Sequence, residues 1–242
     1  MNNKRIKERV KMIKALLTID DIASKNTPAI VDYLNEKGIK ALMFAWGRNV
    51  EYYHEQAEYA LKNGMIVGNH SYSHPHFSEI TLEEGLKEIE KCEEVLDELY
   101  KSAGVSRVYR PFRFPYGDKG GGNKDAFQSY LIENGFNKVD DRAIPYPFWK
   151  EKGLDKDIDT SWTFDFEEFC IRPGSGFTKE NVMDKMNDPK PPYGAPLFED
   201  GGVHILLLHA HDETEEMVPG YYRMFIDYLL EKGVEFVDPT FL

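Results

Sequence analysis

The chain has 242 residues, enough to bury a substantial core within one α/β domain spanning residues 1–242. Its 30 Lys and Arg stand against 42 Asp and Glu, and the formal net charge of −12 argues against a broad nucleic-acid footprint and favours a neutral or locally steered substrate. Cys92 and Cys170 are too few for a disulfide scaffold or a cysteine-built metal site, and no segment approaches the roughly 20 apolar residues needed to cross a bilayer.

Residues 4–14 carry the spacing of a short basic helix, placing an N-terminal helical extension within residues 1–14. The apolar run that follows ends at Asp20 and Asp21 without forming an uninterrupted signal core, so a cytoplasmic enzyme that binds no membrane is expected. Residues 15–19 form a strand, 27–37 a helix stopped by Gly38, and 39–44 a second strand. A helix over 50–62 and a turn at Asn63-Gly64 lead to a strand over 65–67, which delivers His70 and His74. Thr81 and Glu84 match a capping box for a helix over 82–100. Another helix covers 124–133, and the prolines at 145, 147, 173, 189, 191, 192 and 196 mark long loops. Order returns with a buried strand over 203–208 delivering His209, a helix over 221–232 and a last strand over 234–237. Alternating strands and helices specify a parallel α/β architecture, either a closed barrel or an open sheet. Asp20, Asp21, His70, His74, Arg113 and His209 all follow candidate strands, which favours a barrel gathering them on its C-terminal rim.

Taken singly, Asp20 and Asp21 are ordinary helix-capping acids, and two histidines four residues apart are ordinary surface residues. Together, one Asp carboxylate and two imidazoles supply three zinc ligands and leave a fourth position for water, whose pKa the ion would lower. Adjacent residues of an extended strand point to opposite sides, so Asp21 can be the ligand and Asp20 the general base. Arg113 is suited to keeping Asp20 ionised, and His209, given a nearby carboxylate, to protonating a leaving nitrogen. Taken alone His209 reads as a surface histidine near His211, and His204 and His211 carry no independent catalytic signature.

Thr18-Ile19-Asp20-Asp21, His70-Ser71-Tyr72-Ser73-His74, Arg113-Phe114-Pro115-Tyr116-Gly117, the 159–166 region and Leu206-Leu207-Leu208-His209 occur in that order. As an ordered set they resemble the NodB-homology polysaccharide deacetylases, carbohydrate esterase family 4. The resemblance covers most of the chain and implies a distorted (β/α) barrel. It also implies one divalent metal, zinc first among candidates, on Asp21, His70 and His74. By the same resemblance Asp20 is the base, Arg113 its support and His209 the proton donor in N-deacetylation of an N-acetylated sugar. Ile22 stands where the family usually has glycine, which would narrow or redirect the entrance. Asp159 and Asp165 compete as the acid that supports His209, and Asp165 is the preferred assignment.

Tyr52, Tyr53, Tyr116, Tyr146, Phe148, Trp149 and Trp162 offer faces for a sugar, although scattered aromatics are ordinarily core and loop residues. Ser71 and Ser73 need only hold the loop or touch substrate, because water rather than a side chain is the nucleophile. The alternatives are a hydrolase of a small or cyclic amide and a noncatalytic carbohydrate-binding relative. Oligomeric state is left open.

Overall fold

Ile13–Ile22 forms the central strand β1, in which every residue except Lys14 is buried. A strand covered on both faces needs a near-continuous apolar run, and this one supplies it. The computed structural model describes residues 12–242. In chain order β1 is followed by α1 (Thr27–Lys37), β2 (Leu42–Ala45), α2 (Gly47–Tyr52), α3 (His54–Lys62), β3 (Ile66–Asn69), α4 (Leu82–Ala103) and α5 (Lys124–Glu133). The second half contributes α6 (Pro147–Glu151), β4 (Phe164–Asp165), α7 (Lys179–Met186), β5 (Val203–His209), α8 (Asp212–Met217), α9 (Tyr221–Glu231) and β6 (Val234–Phe236).

The strands run in the order β3-β2-β1-β5-β4, with β6 also paired to β1, and every pairing is parallel. Backbone hydrogen bonds then close the ring through irregular chain. Asn69 N donates to Pro111 O at 2.9 Å, Arg113 N to Asn69 O at 3.0 Å, and Thr160 N to Phe112 O at 2.8 Å. The 160–165 segment carries the ring back to β5 through Thr163 N to Ile205 O, 2.8 Å. The architecture is therefore the distorted barrel rather than the open sheet. Gly68 permits the close approach at this seam, since a Cβ there would lie 2.8 Å from both Pro111 Cγ and Pro111 O.

Several boundaries differ from the sequence expectations. Ile13 and Lys14 belong to β1, where they pair with Val234 and Glu235, instead of ending a basic helix; residues 4–11 lie outside the described residues. The second strand begins at Leu42 because Ile39 N bonds back to Leu34 O, closing the left-handed Gly38 cap of α1. The helix expected over 50–62 is two helices, separated where Tyr53 leaves helical geometry at φ −114 and ψ 48. Helix α4 has the expected Thr81 capping box and runs on to Ala103 before a left-handed Gly104. The short elements β4, α6, α7 and α8 had no sequence expectation.

Glu93 of α4 fixes the wall beneath the His70–His74 loop. Only 7% exposed, it accepts from Asn69 Nδ2 at 2.9 Å, Arg107 Nη2 at 2.8 Å and Arg110 Nε at 2.8 Å. Asn69 Oδ1 in turn accepts from Ser71 N at 2.8 Å, so the network reaches the loop directly. Glu93→Ala removes the carboxylate shared by two guanidinium groups, leaving Arg107 its contact with Asp97, and is expected to lower stability by about 3 kcal/mol, measured by urea unfolding.

Candidate active site

The rim at the C-terminal ends of β1, β3 and β5 brings the sequence-selected residues together. Register places Asp20 opposite His209, and both line a 440 Å³ cleft with Asp21, His70, His74 and Asp165. Asp21 Oδ1 lies 3.6 Å from His70 Nε2 and 3.4 Å from His74 Nε2, and the two nitrogens are 3.3 Å apart. Ligands held about 2.0–2.1 Å from a tetrahedral zinc stand roughly 3.3 Å from one another, so this donor set has the spacing of a metal site. His70 Nδ1 is 2.8 Å from the Arg113 carbonyl, an acceptor, so Nδ1 carries the proton and Nε2 presents a lone pair to the cluster. Burial and the neighbouring His70 hold the His74 pKa down to about 3, which leaves it a neutral donor. Burial pushes the Asp21 carboxyl up, but the His211 hydrogen bond and the surrounding imidazoles hold it well below the usual range.

The two acids do not alternate as an extended strand would require. Asp21 has φ 63, a left-handed conformation that turns its carboxylate to the side Asp20 already occupies. As a result Asp20 Oδ2 is 3.5 Å from the same His70 Nε2. Ser71, His74 and Tyr116 also have positive φ, and such backbone costs on the order of 1–3 kcal/mol per residue unless the surroundings impose it. Ile22 is fully buried in the core, so the residue at the usual glycine position does not line the entrance.

Arg113 is wholly buried and donates from Nη1 to Asp20 Oδ1 at 2.7 Å and to Thr18 Oγ1 at 2.8 Å, and from Nε to Thr160 O at 2.8 Å. Asp20 is thereby paired and oriented, as the sequence suggested. For His209 the sequence assignment needs correction. Its hydrogen-bonded carboxylate is Glu168, whose Oε1 lies 3.1 Å from Nδ1 and also accepts from His209 N at 2.6 Å. Asp165 contributes a ligand atom within 4.8 Å of this pair, while its own Oδ1 accepts from Glu167 N. Asp159 is elsewhere, bound by Gln128 Nε2 at 2.7 Å and Lys119 Nζ at 3.1 Å. The strand β4 ends at Asp165, and the following turn, with Glu167 at φ 57, swings Glu168 rather than Asp165 beneath the imidazole. Burial pulls the His209 pKa down, but the charge and hydrogen bond of Glu168, with Asp21 and Asp165 behind them, raise it to about 10.

The family profile for polysaccharide deacetylase matches residues 7–137. The chain belongs to the polysaccharide deacetylase family. The peptidoglycan-N-acetylglucosamine deacetylase of Bacillus cereus is 35% identical over 103 residues, which are 42% of this chain and 36% of that protein. The match thus spans little more than a third of the relative's length. The solved chitin deacetylase of Colletotrichum lindemuthianum shares the fold with a TM-score of 0.67 at 19% identity, over 94% of this chain and 86% of that one. A CE4 family pseudoenzyme shares it at 0.60 and 20% identity, over 94% and 66% respectively. The shared fold alone therefore does not establish chemistry.

This polysaccharide deacetylase fold also brings in residues that sequence reasoning missed. Trp46, just past β2, donates from Nε1 to Asp21 Oδ1 at 2.5 Å and stacks on His74. His211 reaches Asp21 Oδ2 at 2.6 Å. Each follows a strand at the same rim, the one signal that singled out the other site residues and could have found these. Of the aromatics considered for sugar binding, Tyr116 and Trp162 line the cleft, whereas Tyr146, Phe148 and Trp149 pack in a core cluster. His204 is likewise a core histidine, 2.8 Å from Tyr146 Oη. Ser71 Oγ accepts from His74 N and Ser73 binds Glu88, the loop-holding roles expected of them. Cys92 is buried and Cys170 is partly exposed.

Proposed function

We propose that this chain is a metal-dependent N-deacetylase of N-acetylated sugars. One observation carries the reading: a carboxylate–imidazole donor set, an Arg113-paired Asp20 and a Glu168-paired His209 line one cleft. A binding module has no need for two separately supported acid–base groups beside a ligand cluster. A divalent ion on Asp21, His70 and His74, zinc by donor type, would supply Lewis acidity, lowering the pKa of water and polarising the acetyl carbonyl.

Asp20, oriented by Arg113, accepts the proton of the attacking water as its oxygen bonds to the amide carbon. His209, protonated at neutral pH, gives its proton to the nitrogen as the carbon–nitrogen bond breaks, yielding acetate and an amino sugar. Tyr116 and Trp162 present aromatic surface at the cleft, suited to the apolar face of a pyranose. Gly117 lets Trp162 take that place, because a Cβ there would lie 2.8 Å from its ring.

The deciding experiment incubates zinc-loaded protein with chitin oligomers, peptidoglycan fragments and small cyclic amides, and resolves the products. Acetate released together with a new sugar amine is expected. Ring opening of cyclic amides without acetate from any sugar would replace this reading with that of a small-amide hydrolase. Sugar binding without turnover would make the chain a noncatalytic relative.

A further inference from the structure

We propose that His211 is a positioning residue of the metal site, holding the outer carboxylate oxygen of Asp21 so that Asp21 presents only the other oxygen to the ion. The proposal rests on the reading that Asp21, His70 and His74 hold that ion. Within the carboxylate the division is explicit. Oδ1 is the atom 3.6 and 3.4 Å from the two histidine Nε2 atoms, and Oδ2 is the atom 2.6 Å from His211 Nε2. An ionised carboxylate only accepts, so His211 Nε2 is the donor. Binding through both oxygens would make Oδ2 share its lone pairs between the ion and this contact.

The backbone around His211 is secured on both sides, to the end of β1 that carries Asp21 and to the turn that follows it. Before it, Ala210 N donates to Asp20 O at 3.0 Å. After it, Asp212 accepts from Asn26 N at 3.0 Å and Lys25 N at 3.2 Å. The segment after β5 is therefore fastened to the end of β1 at Asp20 and Asp21 and to the 25–26 turn beyond it, with the His211 side chain as the middle fastening. The donor atoms of Asp21, His70 and His74 lie within 4.8 Å of one another, and His211 meets this cluster through Asp21 Oδ2. His211 forms a wall shared by the catalytic cleft and an adjoining 260 Å³ cleft, both of which Asp21 also lines.

The test strips the full chain of metal and measures zinc affinity by competition with a chromophoric chelator. His211→Ala is expected to weaken zinc binding about 10–100-fold, the usual cost of removing a group that orients a ligand. His211→Phe, which keeps a ring but no donor, should do the same, and His211→Gln, whose amide still donates, should recover much of the loss. The visible spectrum of the cobalt-substituted protein should change in the Ala and Phe variants and return toward the parent in the Gln variant. Thermal unfolding of the apo forms checks folding, and the Phe variant decides if Ala does not fold. Parent-like zinc affinity, within about twofold, and an unchanged cobalt spectrum in the Phe variant would overturn the role of His211. Failure of the underlying site would look different: the parent itself would bind no stoichiometric zinc, or His70→Ala would bind it as well as the parent.

Discussion

Asp20→Asn is expected to lower amide hydrolysis by about 10²–10⁴-fold while leaving zinc loading close to that of the parent, whereas Asp21→Asn should lose both. Asn cannot take the water's proton, yet its amide oxygen can still accept the hydrogen bond from Arg113 Nη1, 2.7 Å away in the parent. That remaining bond matters because Arg113 is entirely buried: Asn removes the compensating charge but keeps the hydrogen bond, whereas Ala would remove both. Thr18 Oγ1 and the Thr160 carbonyl continue to hold the guanidinium, so Asn is a better probe than Ala. Asp21 supplies one oxygen that faces both imidazoles, and an amide oxygen in its place lacks the charge that binds a dication. Matched measurements of bound zinc and turnover on folded variants separate the two roles. Near-parent turnover in Asp20→Asn together with full zinc affinity in Asp21→Asn would reject this division of labour.

Glu168→Gln should reduce kcat by about 10²-fold at neutral pH and shift the alkaline limb of its pH profile toward acid. The acid must be protonated to act, and Glu168 supplies the charge and hydrogen bond that outweigh burial in raising the His209 pKa to about 10. Without that charge, His209 titrates closer to the ordinary imidazole value of about 6.5, and the donor is lost as pH rises through the neutral range. A bound dication would pull His209 down in both proteins, leaving the direction of the difference unchanged. The same raised pKa gives His209 a stabilising contribution that is complete below about 6.5 and is lost as pH rises toward about 10. Removing Glu168 should flatten this part of the stability profile. Asp165→Asn is the comparison, since burial first of all raises the Asp165 pKa to about 6 and Asp165 reaches His209 through charge alone. A limb that stayed in place for Glu168→Gln but moved for Asp165→Asn would return the supporting role to Asp165.

The sequence by itself determined the alternating α/β plan, the strands that carry Asp20, Asp21, His70, His74 and His209, and the family motifs around them. Those features are local: buried parallel strands need unbroken apolar runs, and a capping box or a terminal glycine acts within one turn of its helix. Helices α1 and α5 consequently match their expected limits, and α4 starts where its cap requires. The tertiary structure alone decided that the ring closes, because the closing partners at 111–113 and 160–163 are irregular chain with no strand periodicity of their own. It likewise decided that Asp21 turns toward Asp20, a left-handed backbone at a residue whose sequence setting reads as extended strand. The partners of the chemistry were also out of local reach. Glu168 is 41 residues from His209 and His211 is 190 from Asp21, and a hydrogen bond across such separations depends on the packed positions of β4, β5 and β1. Spacing could nominate Asp159 or Asp165 on pattern, but only the turn after β4 determines which carboxylate arrives beneath the imidazole.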